Sequence, residues 1–193
     1  MRSASISRET KETTVMVKVE LDSVRRSPVI DTNLPLFTHF LTAFTWHSGL
    51  NWTIKATGDV EVDPHHLIED VGIVMGQALD QALGSRVGIA RYGQRYLPMD
   101  EALVLSVLDF SGRGQLYWQG SFPDRPINGI QSEVWFEFFN GLARHGRITI
   151  HLRYIDGINA HHVFEALFKS CGRAIGEAVS LIDDTMPSTK GAL

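Results

Sequence analysis

The first clear pattern along the chain is an alternation. In "TTVMVKVEL", residues 13–21, apolar and polar residues change places at nearly every step, which is the period of a strand with one wet face. "WTIKATGDVEV", residues 52–62, alternates in the same way, with a turn at Gly58 and Asp59. Between them, residues 34–46, "LPLFTHFLTAFTW", space their apolar side chains for a helix that carries His39. Residues 102–112 and 114–122 read as two more strands, "SEVWFEFFNGLARHG" (132–146) as a helix, and "RITIHLRYI" (147–155) as a strand. "PMDE", residues 98–101, reads as a turn that starts a helix or strand, with a further acid for a site as the alternative.

Two remaining helices share a signature. One opens at Asp63-Pro64, a capping residue followed by proline at the first helical position, runs through "HHLIEDVGIVMGQALDQAL" and stops at Gly84. The other opens at Asn159 and is predicted to run through "AHHVFEALFKSCGRAIGEAVSLI" to residue 182. Laid over each other, they share a histidine pair, a glutamate three residues beyond it, a later glycine, and an alanine two residues after that. Each follows a strand and a short turn, and the motifs lie 96 residues apart in a 193-residue chain. An internal duplication explains this: one compact α/β (α+β) domain of two halves, about 1–95 and 96–193.

Composition narrows the functional classes. A length of 193 residues supports a sizeable core. The net charge of -4 offers no basic field for nucleic acid or an acidic membrane, so an anionic ligand has to be held by a few placed cations. The single cysteine, Cys171, excludes an internal disulfide framework, and the absence of a signal core or membrane span points to the cytoplasm. Phosphate-binding P-loops, dinucleotide glycine fingerprints and a nucleophile elbow are absent.

The histidine pairs carry the chemistry. Residues four apart on a helix differ by about 40° in direction and neighbours by about 100°. His65 and Glu69 therefore share a face and His66 points elsewhere, a geometry that His161, His162 and Glu165 repeat. One cation cannot readily take both members of a pair, so two metal sites are expected, each drawing donors from more than one motif. Imidazole and carboxylate donors suit borderline divalent ions such as Mn, Fe, Ni or Zn. Arg91 and Arg113 sit in glycine-containing turns suited to a phosphate, although each taken alone reads first as a surface arginine, and Lys190, with Ser188, offers either a third cation or a frayed tail.

These pieces resemble imidazoleglycerol-phosphate dehydratase, a histidine-biosynthesis family. The resemblance runs nearly end to end through "RETKET", "THFL", "WHSGL", "GDVEVDPHHLIEDVGI", "RYGQRYLPMDEAL", "LDFSGR", "FEFF", "ITIHL", "GINAHHVFEALFKS" and "PSTKG". It implies a duplicated fold of two sheets with helices packed between them, like domain 2 of ribosomal protein S5. It also implies a homo-oligomeric shell of twenty-four subunits with active sites at subunit interfaces, and two Mn ions per site. His39, His65, His66, Glu69, His161, His162 and Glu165 would be metal ligands by this resemblance. Glu12, His47, Arg91, Arg113, Ser188 and Lys190 match positions that touch substrate, the last four at its phosphate end, and Glu12 is the expected base.

The chain departs from the family pattern at Thr38, where the family has aspartate, at Phe40, where it has methionine, and in "TNLPLF", which lacks the usual glycines. The motif that often reads His-Phe-Phe is Glu137-Phe138-Phe139 here, so either Glu137 or His151 would complete a metal site. The implied reaction is metal-dependent dehydration of imidazoleglycerol phosphate through a metal-bound imidazolate. A dinuclear metallohydrolase and a non-enzymatic metal-binding assembly are the competing expectations.

Overall fold

The computed structural model describes residues 1–191, and within them the duplication is complete. The first half runs β1 (Ser3–Glu9), β2 (Thr13–Glu20), β3 (Val29–Thr32), α1 (Pro35–Ser48), β4 (Asn51–Gly58) and α2 (Pro64–Leu83). The second repeats the order with β5 (Tyr92–Met99), β6 (Ala102–Asp109), β7 (Gln115–Gln119), α3 (Ser132–Gly146), β8 (Thr149–Asp156) and α4 (Ala160–Ala178). Each half builds one four-stranded sheet, ordered β1-β2-β4-β3 and β5-β6-β8-β7. The last pair in each sheet is parallel. Parallel neighbours need a crossover, which α1 and α3 supply.

The helices lie between the sheets and the halves interlock through them. α2 packs on its own sheet and on α3; α4 packs on its own sheet and on α1. The glycine shared by the two motif helices has its reason here. A Cβ at Gly76 would stand 2.6 Å from Gly146 N, and one at Gly172 would stand 2.3 Å from Phe44 O. Both helices are bare at the point where a backbone from the other half crosses. Around these crossings Phe37, Phe40, Phe44, Trp135, Phe138 and Phe168 are wholly buried. Each full burial of such a side chain is worth about 1.5–3 kcal/mol, which makes the helix layer the core that fixes the site.

Several boundaries differ from the sequence pattern. β1, β3 and β5 were not expected, and the expected division near residue 95 falls inside β5. α4 ends at Ala178, not at residue 182, because the chain turns away to pair with the segment before β5, with Ala90 N donating to Ser180 O and Ile182 N to Gly88 O. Among the described residues, no helix is long and apolar enough to cross a membrane.

Candidate functional site

Both motif helices begin the same way. Asp63 and Asn159 are the N-caps, and their side chains accept from the backbone N–H of His65 (2.9 Å) and His161 (3.0 Å). Each histidine pair thus sits in the first turn of a capped helix, where its backbone is fixed.

The packing of α1 on α4 then creates the tightest donor set. His39 Nε2 and His161 Nε2 lie 3.1 and 3.0 Å from the same oxygen, Glu165 Oε2, and the two rings stack at 5.5 Å. All three donor atoms lie within 4.8 Å of one another. Bonds of about 2.1 Å to a divalent ion place neighbouring donors about 3.0–3.4 Å apart, and the two separations to Glu165 Oε2 fall in that range. Phe40 packs its ring 5.3 Å from that of His161 and walls the site on one side. Burial pushes the Glu165 carboxyl up, but hydrogen bonds from Lys169 and His39 outweigh it and hold it at about 2. The donor oxygen therefore stays ionised at neutral pH.

The other members of the pairs are oriented by acids outside the motifs. His66 Nδ1 meets Asp59 Oδ1 at 3.0 Å, and His162 Nδ1 meets Glu101 Oε2 at 2.8 Å. Both rings are left with Nε2 as the nitrogen for a ligand. Such carboxylate contacts fix ring orientation and raise ligand basicity. The hydrogen bond to Asp59 raises the His66 pKa, with the charge of nearby Glu12 adding to it. Glu101 does the same for His162 and is itself held at about 2 by that hydrogen bond. The "PMDE" stretch ends β5 with Pro98 and Met99, turns toward β6 at Asp100 and Glu101, and is also the source of an acid. Asp59 carried no signal beyond lying in a turn ahead of the cap. Lys169, one helical turn after Glu165, was missed although the spacing of four was visible.

The remaining residues are placed as follows. His65 Nε2 and Glu69 Oε2 face each other at 3.6 Å, but no third donor joins them among the described residues. Glu137 is half-buried on α3 with its carboxylate near Asn140, at 3.3 Å. His151 stacks on Tyr117 at 4.3 Å, and its neighbours Ile150 and Leu152 point into the core, so it faces the outer side of the second sheet. Thr38 bonds Thr32 through its hydroxyl at 2.7 Å and does not orient His39. Glu12 is exposed on the β1–β2 turn. His47 lines a cavity of ≈ 350 Å³ with Arg25, Arg95 and Arg173, and burial, then the Arg173 charge, lowers its pKa.

At the far end of α4, Arg91 makes a two-pronged contact with Asp109 at 2.7 and 3.1 Å and donates to Pro187 O at 2.7 Å. That contact ties down the tail carrying Ser188 and Lys190. Arg113 follows in the loop after β6, exposed. Arg91 N also donates to Ala178 O, seventeen residues along α4 from His161. At 1.5 Å per residue, about 25 Å separates the arginine end from the triplet.

Known proteins give this arrangement a family. The family profile for imidazoleglycerol-phosphate dehydratase matches residues 32–175. The chain is similar to the imidazoleglycerol-phosphate dehydratase of Methanosphaerula palustris, 45% identical with all of both chains covered. It is 46% identical to that of Paracoccus denitrificans, again over the whole of both. In structure it is similar to the Staphylococcus aureus enzyme of that name, with a TM-score of 0.83 and 35% identity over 93% of this chain and 99% of that one. The matches first define a class: a doubled α/β enzyme of the hydro-lyases. The chain belongs to the imidazoleglycerol-phosphate dehydratase family and is a dehydratase of histidine biosynthesis.

Proposed function

We propose that the enzyme removes water from imidazoleglycerol phosphate to give imidazole acetol phosphate, at a metal-dependent site shared between copies of the chain. The convergence of His39, His161 and Glu165 carries this reading. His39, His161 and Glu165 would hold one divalent ion such as Mn, with His65, His66, Glu69 and His162, from this and neighbouring copies, divided between that ion and a second, and such ions would supply Lewis acidity toward the nitrogens of an imidazole ring. Glu137 is the better candidate to complete the second set, since His151 is engaged with Tyr117 on the outer sheet face.

The protein's own groups do the rest. Glu12 takes the proton from the side-chain carbon that keeps its hydroxyl, while the hydroxyl next to the ring departs. Together these losses make one water and an enol, which relaxes to the ketone. His47, Arg91, Arg113, Ser188 and Lys190 hold the chain hydroxyl and phosphate, so that binding energy remote from the reacting carbons orients the ring.

The 25 Å estimate above is too long for one small substrate to span within one chain. A phosphate end supplied by a neighbouring copy removes that difficulty, which supports an oligomer, and the twenty-four-subunit shell of the family's resemblance fits that need.

Two assays test this. Chelator-stripped enzyme should lose ketone formation and regain it with added Mn. Copies carrying His161→Ala, inactive alone, should regain activity when co-assembled with inactive Lys190→Ala copies. No recovery in the mixed assembly would confine the site to one chain and sink the shared arrangement.

A further inference from the structure

The pseudo-symmetry exposes an unequal division of labour between the two hairpin turns. In the second half, the acid of the β5–β6 turn, Glu101, is spent on holding His162. In the first half, Asp59 from the β4–α2 loop takes over that task for His66. The acid of the β1–β2 turn, Glu12, is left with no side-chain partner among the described residues, over a shallow cavity of ≈ 180 Å³. A free carboxylate on a surface turn is ordinarily mobile, and a base needs a fixed position relative to the carbon it deprotonates.

What fixes this turn is a buried set of hydrogen bonds that leads to α2. Thr13 is 3% exposed, and its hydroxyl donates to Asp70 Oδ2, itself 7% exposed. Asp70 Oδ1 accepts from Arg8 Nε of β1 at 2.9 Å, so one carboxylate grips both sides of the hairpin. The Thr13 hydroxyl also meets the Thr10 hydroxyl, and Thr10 Oγ1 accepts the backbone N–H of Glu12 (3.1 Å) and Thr13 (2.9 Å). On its other side the Glu12 carbonyl accepts from Asp59 N at 3.1 Å, and the side chain of that same Asp59 orients His66. Both backbone groups of Glu12 are thus pinned. The counterpart of Asp70 in α4, 96 residues on, is Ala166, which has no carboxylate to offer the second turn.

We propose that Asp70, acting through Thr13 and Thr10, is the positioning residue for Glu12, and that it locks the base to the helix that carries His65, His66 and Glu69. The proposal rests on Glu12 being the base, as argued above. A displacement of about 1 Å at a reacting group can cost about 10²-fold in rate.

The test uses the assembled, Mn-loaded enzyme with imidazoleglycerol phosphate. Thr13→Val keeps the shape and removes the hydroxyl; kcat should fall about 10²-fold with KM nearly unchanged. Thr13→Ser should restore it. Because Thr13 acts through Glu12, adding Thr13→Val to Glu12→Gln should lower kcat no further than Glu12→Gln alone. Full kcat in Thr13→Val beside a dead Glu12→Gln enzyme overturns the positioning role. A further independent loss in the double variant also overturns it. Near-normal activity in Glu12→Gln removes the base reading itself, and the proposal with it. Should Thr13→Val fail to assemble, Thr10→Val, at a partly exposed turn position, carries the same expectations.

Discussion

Replacing Gly172 by alanine tests whether the helix crossing builds the metal site. The new Cβ would stand 2.3 Å from Phe44 O, a backbone atom, where ordinary contact starts at 3.4 Å. The crossing must open by about 1.1 Å (3.4 − 2.3), since a helix carbonyl cannot swing aside as a side-chain tip can. Overpacking of this kind costs about 1–3 kcal/mol, and for a chain of this size each kcal/mol lowers Tm by about 2–4 °C. The same opening acts on the donors, because Phe44 shares α1 with His39 and Gly172 shares α4 with His161. The His39–Glu165 separation of 3.1 Å spans that crossing and would widen toward about 4 Å, outside the about 3.0–3.4 Å that one ion spans, while His161 and Glu165, both on α4, keep theirs. Gly76→Ala is the internal control. It meets Gly146 N at 2.6 Å and should lower Tm comparably, but at the α2–α3 crossing, away from the triplet. Titrating stripped protein with Mn and following free ion by paramagnetic resonance should show an affinity loss of about 10-fold or more for Gly172→Ala and a smaller one for Gly76→Ala, whose crossing separates no pair of donors in contact. Unchanged affinity in Gly172→Ala, or an equal loss in both variants, would refute the link between crossing and site.

Three further outcomes follow from the same contacts. Glu101→Gln should let the raised His162 pKa fall back, seen by NMR titration of its ring in metal-stripped protein, and should weaken Mn binding about 10–100-fold; an unmoved titration would disconnect the two residues. In metal-stripped protein, the Glu165 carboxyl at about 2 lies below its unfolded value of 4.5. Its stabilisation is therefore present above about pH 4.5 and lost as pH falls toward 2, on the order of 3 kcal/mol at most. The Tm gap between wild type and Glu165→Gln should narrow between pH 5 and 3, and a constant gap argues against the linkage. Arg91→Lys gives up the two-pronged contact with Asp109 and loosens the tail of Ser188 and Lys190, so KM should rise about 10-fold or more while Mn affinity holds. A loss of Mn affinity with KM unchanged would show that Arg91 serves the metal end instead.

What could be read from the sequence depended on where each element lies in its sheet. β2 and β6 are central strands with one face on the helix layer, and their alternation is clean: Val15, Val17 and Val19 are fully buried, with Met16 half-buried and Lys18 exposed between them. The strands that escaped notice, β1, β3 and β5, are all sheet edges. An edge strand buries little, so selection for period-2 patterning is weak there; β1 contributes only Ala4 to the core, and the buried position at the start of β5 is a glycine, Gly93, crowded by Ala174 O. The site divides along a similar line. Capping residues and the four-residue step are local, so the pairing of each histidine with its glutamate was legible from spacing alone. Which pair gains a third donor depends on whether a helix from the other half crosses at that point. α1 brings His39 to Glu165, whereas α3 lays a glycine, Gly141, against Glu69 O and brings no donor to that carboxylate. Duplication wrote the same motif twice, and tertiary packing made the two copies unequal. One gathers three donors within the chain and the other two among the described residues, so the metal chemistry proposed above would need donors from a neighbouring copy at the second.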